Sequence, residues 1–181
     1  MGNLWGMRSV ITTANLIVGK DGSTTLAGSS TGLSTDEDRR RFHDLRSKND
    51  LILIGGNTAR REPYKRTPIP LYILTHTKVR LQPKNQLAKQ FAVSPSELIN
   101  QLKSSFNQDQ SAPINLLVEA GAALLQQMIA EGIIDHLYLT VNLEKTGDNS
   151  ISITELTKSF ELISRENIAP CEFLHYKKLA K

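Results

Sequence analysis

The chain has 181 residues, 22 of them Lys or Arg and 18 Asp or Glu, which gives a net charge of +4, and it contains one cysteine. This length suits one domain over residues 1–181, and so small a basic excess falls short of the charge of a nucleic-acid-binding surface. A single cysteine excludes an intrachain disulfide, and no stretch is apolar over the length of a membrane span, so we expect a cytoplasmic protein that binds neither nucleic acid nor membranes.

Two patterns define the first elements of the chain. Residues 9–18 are rich in β-branched side chains and predict the first strand, which a loop dense in Gly, Ser and Thr follows. Ser34 and Glu37 have the spacing of a capping box, in which each side chain bonds the backbone of the other. A helix is therefore predicted from about residue 35 to 48.

The remaining elements alternate between strand and helix. Helices are predicted from a second capping box, Ser94 with Glu97, to about residue 106, and over 122–132. Residues 159–179 alternate polar and apolar and predict two antiparallel strands. The order indicates the α/β class, with a mostly parallel sheet, helices on both faces and an antiparallel C-terminal hairpin. Apolar runs short enough for buried strands occur at 50–56, 70–75, 114–121 and 135–143.

Two of these predicted strands end on glycine, where a turn leads to the next element. One run ends at Gly55 and Gly56, and another ends at Gly121, after which no Ser, Asp or Asn caps the following helix. Ligands of open α/β sheets bind beyond the carboxyl ends of the strands, and glycine lets backbone N–H groups approach a phosphate there. Two such turns favour a nucleotide-like ligand over turns that only allow close packing.

Glu119 and Arg46 each admit two interpretations. Glu119 ends an apolar strand, so it either caps a local amide at the rim of the sheet or accepts hydrogen bonds from a ligand. Arg46 borders the buried face of the first helix, where its guanidinium either binds a phosphate or leaves its stem on apolar surface. The residues by themselves leave both open. The spacings typical of zinc sites, P-loops and nucleophilic serines are absent from the sequence, so no metal is expected.

Six short motifs follow one another along the chain: Asp21-Gly22, Leu33-Ser34, Leu45-Arg46, Gly55-Gly56-Asn57-Thr58 followed by Glu62, Val118 to Gly121, and Ile134-Asp135-His136-Leu137. Their order and spacing resemble the pyrimidine reductases of riboflavin biosynthesis, the reductase half of the bifunctional deaminase-reductase. This resemblance implies a dihydrofolate-reductase-like fold, NADPH as cofactor, a phosphorylated pyrimidine as substrate and a homodimer.

The resemblance also assigns residues. It implies that Arg46 holds the ribose phosphate, with Ser30 or Thr31 nearby, and that Glu119 hydrogen-bonds the substrate. The proton that accompanies the hydride could come from Asp21, from Glu119 or from water, and the sequence does not choose among them. The positions that match the family's NADPH-binding residues are Ile17, Gly55, Gly56, Thr58, Glu62, Gly121, Ala122, Ala123, Leu124 and Leu125.

Two departures from the family pattern keep alternatives open. Asn57 stands where the family has glycine in the turn, and Gly32 stands where many members have Trp or Pro. One alternative is a reductase of the same fold that acts on another pterin or pyrimidine. The other is a nucleotide-binding module without catalysis.

Overall fold

The computed structural model describes residues 9–104 and 112–180. The strands in this part of the chain are β1 (Val10–Gly19), β2 (Ser23–Thr25), β3 (Leu51–Gly55), β4 (Leu71–Leu74), β5 (Ala88–Phe91), β6 (Ile114–Val118), β7 (His136–Asn142), β8 (Asp148–Ser150), β9 (Phe160–Ile168) and β10 (Cys171–Lys178). The helices are α1 (Asp36–Ser47), α2 (Gly56–Arg61), α3 (Pro95–Ser104), α4 (Ala122–Ala130) and α5 (Ile153–Thr157), with one short 3-10 helix at Ser30–Gly32.

Eight of these strands form one sheet in the order β5-β4-β3-β6-β1-β7-β10-β9. The six strands from β5 to β7 are parallel to their neighbours, while β10 runs antiparallel to β7 and β9 antiparallel to β10. β2 and β8 pair with each other in a separate two-stranded sheet. The predicted α/β class, the parallel sheet and the antiparallel C-terminal hairpin are confirmed.

The continuous apolar run of β3 follows from burial on both faces of the sheet. Leu51 and Leu53 pack into a cluster that includes side chains of α3 and α4. Ile52 and Ile54, which alternate with them, pack into a second cluster on the opposite face, against which Leu45 of α1 lies. Because successive side chains of a strand point to opposite faces, a strand covered on both sides has no polar positions.

The start of α1 differs from the prediction. Its N-cap is Thr35, whose Oγ1 accepts a hydrogen bond from the Asp38 N–H at 3.2 Å. Ser34 precedes the cap and donates its hydroxyl to the Asp38 carboxylate at 2.6 Å instead. Glu37 bonds Arg40 and not the Ser34 backbone. The predicted capping box of Ser34 with Glu37 is therefore wrong by one residue, although the helix itself is confirmed.

Other predictions hold with smaller changes. Ser94 caps α3 through the Glu97 N–H, at 3.2 Å, and the predicted end of that helix near residue 106 lies outside the described residues. The helix α5, which Ser152 caps through the Glu155 N–H at 3.2 Å, was not predicted. None of the helices in the described ranges 9–104 and 112–180 is long and apolar enough to cross a membrane.

Candidate active site

A cavity of about 790 Å³ opens at the carboxyl ends of β1, β3 and β6. The order of the sheet creates it, because β6 lies between β3 and β1, and the chain leaves each of these three strands at the same edge. Asn15, Leu16 and Ile17 of β1 form one wall, and the starts of α2 and α4 form another. Most of the residues that the sequence singled out line this cavity: Ile17, Ser30, Thr31, Arg46, Gly55, Gly56, Thr58, Glu62, Glu119, Gly121, Ala122, Ala123 and Leu124.

Two helices begin at this cavity without a side-chain cap. Gly55 is the N-cap of α2 and Gly121 is the N-cap of α4, and neither helix start receives a side-chain hydrogen bond of the usual capping kind. The stretch predicted as a turn at Gly55 to Thr58 is thus the first turn of a helix. Thr58 joins the two starts, since its Oγ1 accepts the Gly121 N–H at 3.1 Å.

Close packing explains the second glycine of the Gly55-Gly56 pair. A Cβ atom added at Gly56 would lie 2.6 Å from Thr75 Oγ1, which is too near for any side chain.

Backbone N–H groups of uncapped helix starts carry partial positive charge and bind anions. The two starts therefore offer donors that suit the phosphates of a nucleotide.

Glu119 lies at the floor of the cavity in a closed hydrogen-bond network. Arg46 donates from Nε to Glu119 Oε1 and from Nη2 to Oε2, each at 2.7 Å. Tyr64 donates its hydroxyl to Oε2 at 2.7 Å. The side chains of Arg46 and Glu119 are only 13% and 3% exposed. This bidentate pair was not predicted. The sequence suggested a ligand, a local amide or apolar surface as the partner of each residue, and not the other residue of the pair.

Aromatic rings enclose the guanidinium of this network. The Arg46 Cζ lies 4.2 Å from the ring centroid of Phe42 and 5.4 Å from that of Tyr64. Burial acts to lower the pKa of Arg46, but its hydrogen bonds to Glu119 and the negative charge of that carboxylate together outweigh this effect, so the pKa is raised. Burial, and then the charge of Glu119, raise the pKa of Tyr64 well above its usual range. Tyr64 therefore remains a hydrogen-bond donor at any physiological pH.

Glu62 connects the loop after β2 to the segment after α2. Its carboxylate accepts hydrogen bonds from the Ser29 hydroxyl at 3.0 Å, from the Ser30 N–H at 3.0 Å and from the Ser30 hydroxyl at 3.1 Å. These bonds bring Ser30 to the cavity wall. The resemblance assigns Glu62 to the cofactor, and this assignment stays a prediction. The geometry shows that Glu62 also holds the loop that contains Ser29 and Ser30.

The structure does not bring two of the predicted site residues to the cavity. Leu125 is 1% exposed and packs in the core, and its N–H bonds the Gly121 carbonyl within α4. Asp21 lies in the turn after β1, where hydrogen bonds from Ser23 lower the pKa of its carboxyl. A carboxylate that is held ionised and does not line the cavity is a poor proton donor to a ligand bound there. Neither residue is therefore carried into the proposed site.

Several residues that line the cavity were not predicted from the sequence, and two of them, Tyr64 and Asp38, take part in its hydrogen bonds. Tyr64 follows the Glu62-Pro63 pair in a segment without periodicity, and nothing in its surroundings predicts that its hydroxyl reaches Glu119. Asp38 is 8% exposed, lines the cavity and accepts the Ser34 hydroxyl. The sequence indicates that Asp38 lies at a helix start, because carboxylates are favoured in the first turn of a helix. The burial of its side chain was not predictable from the sequence.

Comparison with known proteins extends this picture. The model of the RibD C-terminal domain family matches residues 11–157. No curated protein matches the chain in a sequence search.

Three solved structures resemble the fold. A pyrimidine reductase-like protein from Corynebacterium diphtheriae is 16% identical, with a TM-score of 0.69 over 95% of this chain and 93% of that chain. RibD from Acinetobacter baumannii is 14% identical, with a TM-score of 0.74 over 95% of this chain but only 59% of that chain. Dihydrofolate reductase from Enterococcus faecalis, complexed with NADP(H), is 13% identical, with a TM-score of 0.66 over 93% and 96%. These likenesses confirm the dihydrofolate-reductase-like fold.

Proposed function

Because the chain belongs to the RibD C-terminal domain family, we propose that it is an NADPH-dependent reductase of riboflavin biosynthesis. Its substrate would be of the 5-amino-6-(5-phosphoribosylamino)uracil type, which the name of a Thermotoga maritima relative includes, and its product the ribitylamino pyrimidine. Family membership supports an oxidoreductase of the pyrimidine reductase type. The dependence on NADPH and the identity of the substrate are the proposal.

The observation that carries the proposal is the pair of uncapped helix starts beside a buried carboxylate. The helix starts at Gly55 and Gly121 line a cavity of about 790 Å³, and the hydrogen bond from the Gly121 N–H to Thr58 Oγ1 fixes their relative position. The N–H groups of the first helical turns after these two glycines have no side-chain cap. These groups would bind the cofactor's phosphates, with Ile17 and Ala122 to Leu124 on the surrounding walls. NADPH bound in this way would supply a hydride to the carbon of the opened ribosylamino group.

Glu119 would orient the pyrimidine. Arg46 and Tyr64 donate to both of its oxygens, so its carboxylate is fixed in direction before any ligand arrives. A fixed acceptor at the floor of the cavity would select N–H groups on the ring edge of the substrate and place its ribosyl carbon against the cofactor. Because Glu119 is paired with a guanidinium, we assign the accompanying proton to water and not to Glu119.

The direct test is reduction of the phosphoribosylamino-uracil by the full chain. Loss of NADPH absorbance that depends on this substrate is expected, with formation of the ribitylamino product by mass spectrometry. NADH in place of NADPH tests the cofactor. Binding of NADPH without turnover of this or related pyrimidines would contradict the reductase and favour the nucleotide-binding module. Failure to bind NADPH would contradict both.

A homodimer forms part of the proposal. The family resemblance suggests it, and β9 supports it. Among the described strands, this nine-residue strand pairs only with β10 and lies at the edge of the sheet. Three large apolar side chains on it are exposed: Leu162, Ile163 and Ile168. An exposed apolar edge strand is a surface on which another chain can pair.

A further inference from the structure

Positive charge is concentrated in one segment of the chain. Residues 60–89 contain eight of the 22 Lys and Arg residues but only one of the 18 acids, so they carry a net charge of +7 while the rest of the chain carries −3. The one acid is Glu62, and Ser29 and Ser30 already donate hydrogen bonds to its carboxylate. The net charge of the whole chain therefore understates a strongly basic region.

The cations of this segment have no acidic partner within the described residues. All eight are exposed, and none of the ion pairs formed within residues 9–104 and 112–180 includes any of them. The four arginines of α1, by contrast, all pair with carboxylates. The eight are Arg60, Arg61, Lys65, Arg66, Lys78, Arg80, Lys84 and Lys89.

Three of these cations line one small cavity. Lys65, Arg66 and Lys84 lie around a cavity of about 400 Å³, and no carboxylate of the described residues lines it. This volume is within the range of about 300–1,000 Å³ that is typical of small-molecule sites.

This basic cavity is separate from the candidate active site. Its lining residues precede β4 and β5, so it lies at the amino ends of these two parallel strands. The candidate active site opens at the carboxyl ends of strands of the same sheet, and the two cavities share no lining residue. The cofactor and substrate of the proposed function therefore do not occupy the basic cavity.

A buried amide holds the two walls of the basic cavity together. Asn85 is 2% exposed, and its Nδ2 donates to the Tyr64 carbonyl and to Thr67 Oγ1, each at 3.0 Å. Its Oδ1 accepts the Leu87 N–H at 2.9 Å. Thr67 accepts from Asn85, which leaves its own O–H to donate to a ligand. The walls are thus in place before a ligand binds, and this lowers the entropic cost of binding.

The charges of the lining indicate the class of ligand. Three cations without an acid are balanced by about three negative charges, which a chain of two or three phosphate groups carries. The guanidinium of Arg66 and the ammonium groups of Lys65 and Lys84 are the donors that phosphate oxygens bind most strongly.

A nucleic-acid strand fits this region less well than a short phosphate chain does. Proteins that bind single strands stack the bases on exposed aromatic rings. Tyr64 and Tyr72 are the only Phe, Tyr or Trp residues of the segment 60–89. Tyr64 is only 9% exposed, and Tyr72 packs on Phe91 with ring centroids 4.6 Å apart. The segment therefore offers charge without a surface for bases.

We infer that the basic cavity is a second ligand site, in which Lys65, Arg66 and Lys84 bind an oligophosphate group. The inference goes beyond the proposed function and does not depend on it.

Calorimetric titration of the full chain with inorganic triphosphate tests the site. Lys84→Gln and Arg66→Gln should each raise the Kd by about tenfold, because each removes a charge-assisted hydrogen bond. Lys84→Arg keeps the charge and should retain binding. All these positions are exposed, so the substitutions should leave the fold intact.

Two control variants separate this site from its surroundings. Lys89→Gln removes the same charge from the same segment, on β5 and outside the cavity lining, and should leave the Kd unchanged. Arg61→Gln removes a cation that lines the candidate active site, and it should also leave the Kd unchanged.

A second probe, ATP, identifies the source of the phosphate chain. A lower Kd for ATP than for triphosphate, lost in Lys84→Gln, would assign the site to a nucleotide. An equal or higher Kd for ATP would assign it to the free phosphate chain, and both results support the site.

The remaining outcomes overturn the inference. They are a wild type that does not bind triphosphate, an unchanged Kd in Lys84→Gln and Arg66→Gln, and an equal loss in Lys89→Gln, which would show a diffuse attraction. A loss confined to Arg61→Gln would place the anion in the candidate active site. Tighter binding of a single-stranded oligonucleotide through the same cations would identify a nucleic-acid surface instead. Because none of these measurements uses reduction, their failure leaves the proposed function intact.

Discussion

At the scale of single residues, the network of Glu119 explains why a carboxylate can end an apolar strand. Burying an ionised carboxylate is costly unless it is paired and hydrogen-bonded. Arg46 supplies the charge and two hydrogen bonds, and Tyr64 supplies a third. The interpretation of Glu119 as a simple rim cap is thereby excluded, because its partners are side chains from α1 and from the segment after α2 and not a local amide.

Tyr64→Phe tests this network at one atom. The substitution keeps the ring beside Arg46 but leaves Glu119 Oε2 without one donor, so the free energy of unfolding should fall by about 1–2 kcal/mol. Turnover should fall while the KM changes little, because a less firmly held Glu119 orients the substrate less well. Urea denaturation and steady-state kinetics measure the two effects.

Tyr72→Phe is the control for that prediction. The Tyr72 ring packs on Phe91 with centroids 4.6 Å apart, in the cluster on the other face of the sheet. Loss of the Tyr72 hydroxyl should change the free energy of unfolding and the turnover rate little. Equal effects of the two substitutions would contradict a specific role of the Tyr64 hydroxyl.

At the scale of elements, β7 and β10 bring two histidines together. His136 Nδ1 and His175 Nε2 lie 3.1 Å apart, so only one proton fits between them, and Tyr138 stacks on the His175 ring with centroids at 4.3 Å. Burial, followed by the charge of His136, lowers the pKa of His175. The sequence did not predict this pair, because the two histidines are 39 residues apart.

The histidine pair predicts the acid dependence of stability. The pKa of His175 is lower in the folded protein than its ordinary value of about 6.5 in the unfolded chain. As the pH falls through about 6.5, the histidine of the unfolded chain takes up a proton before the folded protein does. The free energy of unfolding therefore decreases as the pH falls below about 6.5 and is retained above that pH.

Urea denaturation between pH 7.5 and 5 should therefore show a smaller loss of stability in His175→Gln than in the wild type. His43→Gln changes an exposed histidine of α1 and should keep the wild-type dependence. A wild-type slope in the His175 variant would show that other groups set the acid sensitivity.

At the scale of the whole molecule, the sheet order determines both the site and the exposed edge. Insertion of β6 between β3 and β1 brings Glu119 next to β3, and the Glu119 N–H bonds the Leu53 carbonyl at 2.9 Å. The same order leaves β9 at one edge, where every residue after Phe160 is exposed. One end of the sheet thus forms the cavity, and one side forms the surface proposed for dimerisation.

Ile163→Lys tests that surface. Ile163 is 49% exposed on β9, and a charge there should prevent an edge from pairing with a second copy, so the mass in solution should fall from dimer to monomer. Light scattering after size-exclusion chromatography measures it. Val79→Lys is the control, since Val79 is 69% exposed in the loop between β4 and β5 near the other edge. Dimers of unchanged stability in Ile163→Lys would rule out β9 as the interface.

The sequence by itself determined the fold class and most of the longer elements, but not α2, α5 or the short strands β2, β5 and β8. Apolar runs, capping residues and glycines are local signals, because strand and helix preferences depend mainly on neighbours along the chain. They predicted β1, β3, β6 and β7, the helices α1, α3 and α4, and the glycine-ended strands. The family resemblance then indicated which of these positions face the cofactor, and most of them do line the cavity.

Only the tertiary structure decided which side chains meet. Arg46 and Glu119 are 73 residues apart, and Tyr64 and Glu119 are 55 apart, so their contacts depend on the order of strands in the sheet. Local patterns do not encode that order, because a strand buried on both faces is a continuous apolar run in any central position of a parallel sheet. The family resemblance implied that Leu125 lies at the cofactor and that Arg46 holds the phosphate, and these roles stay predictions. The tertiary structure adds that the Leu125 side chain is buried in the core and that Arg46 pairs with the Glu119 carboxylate.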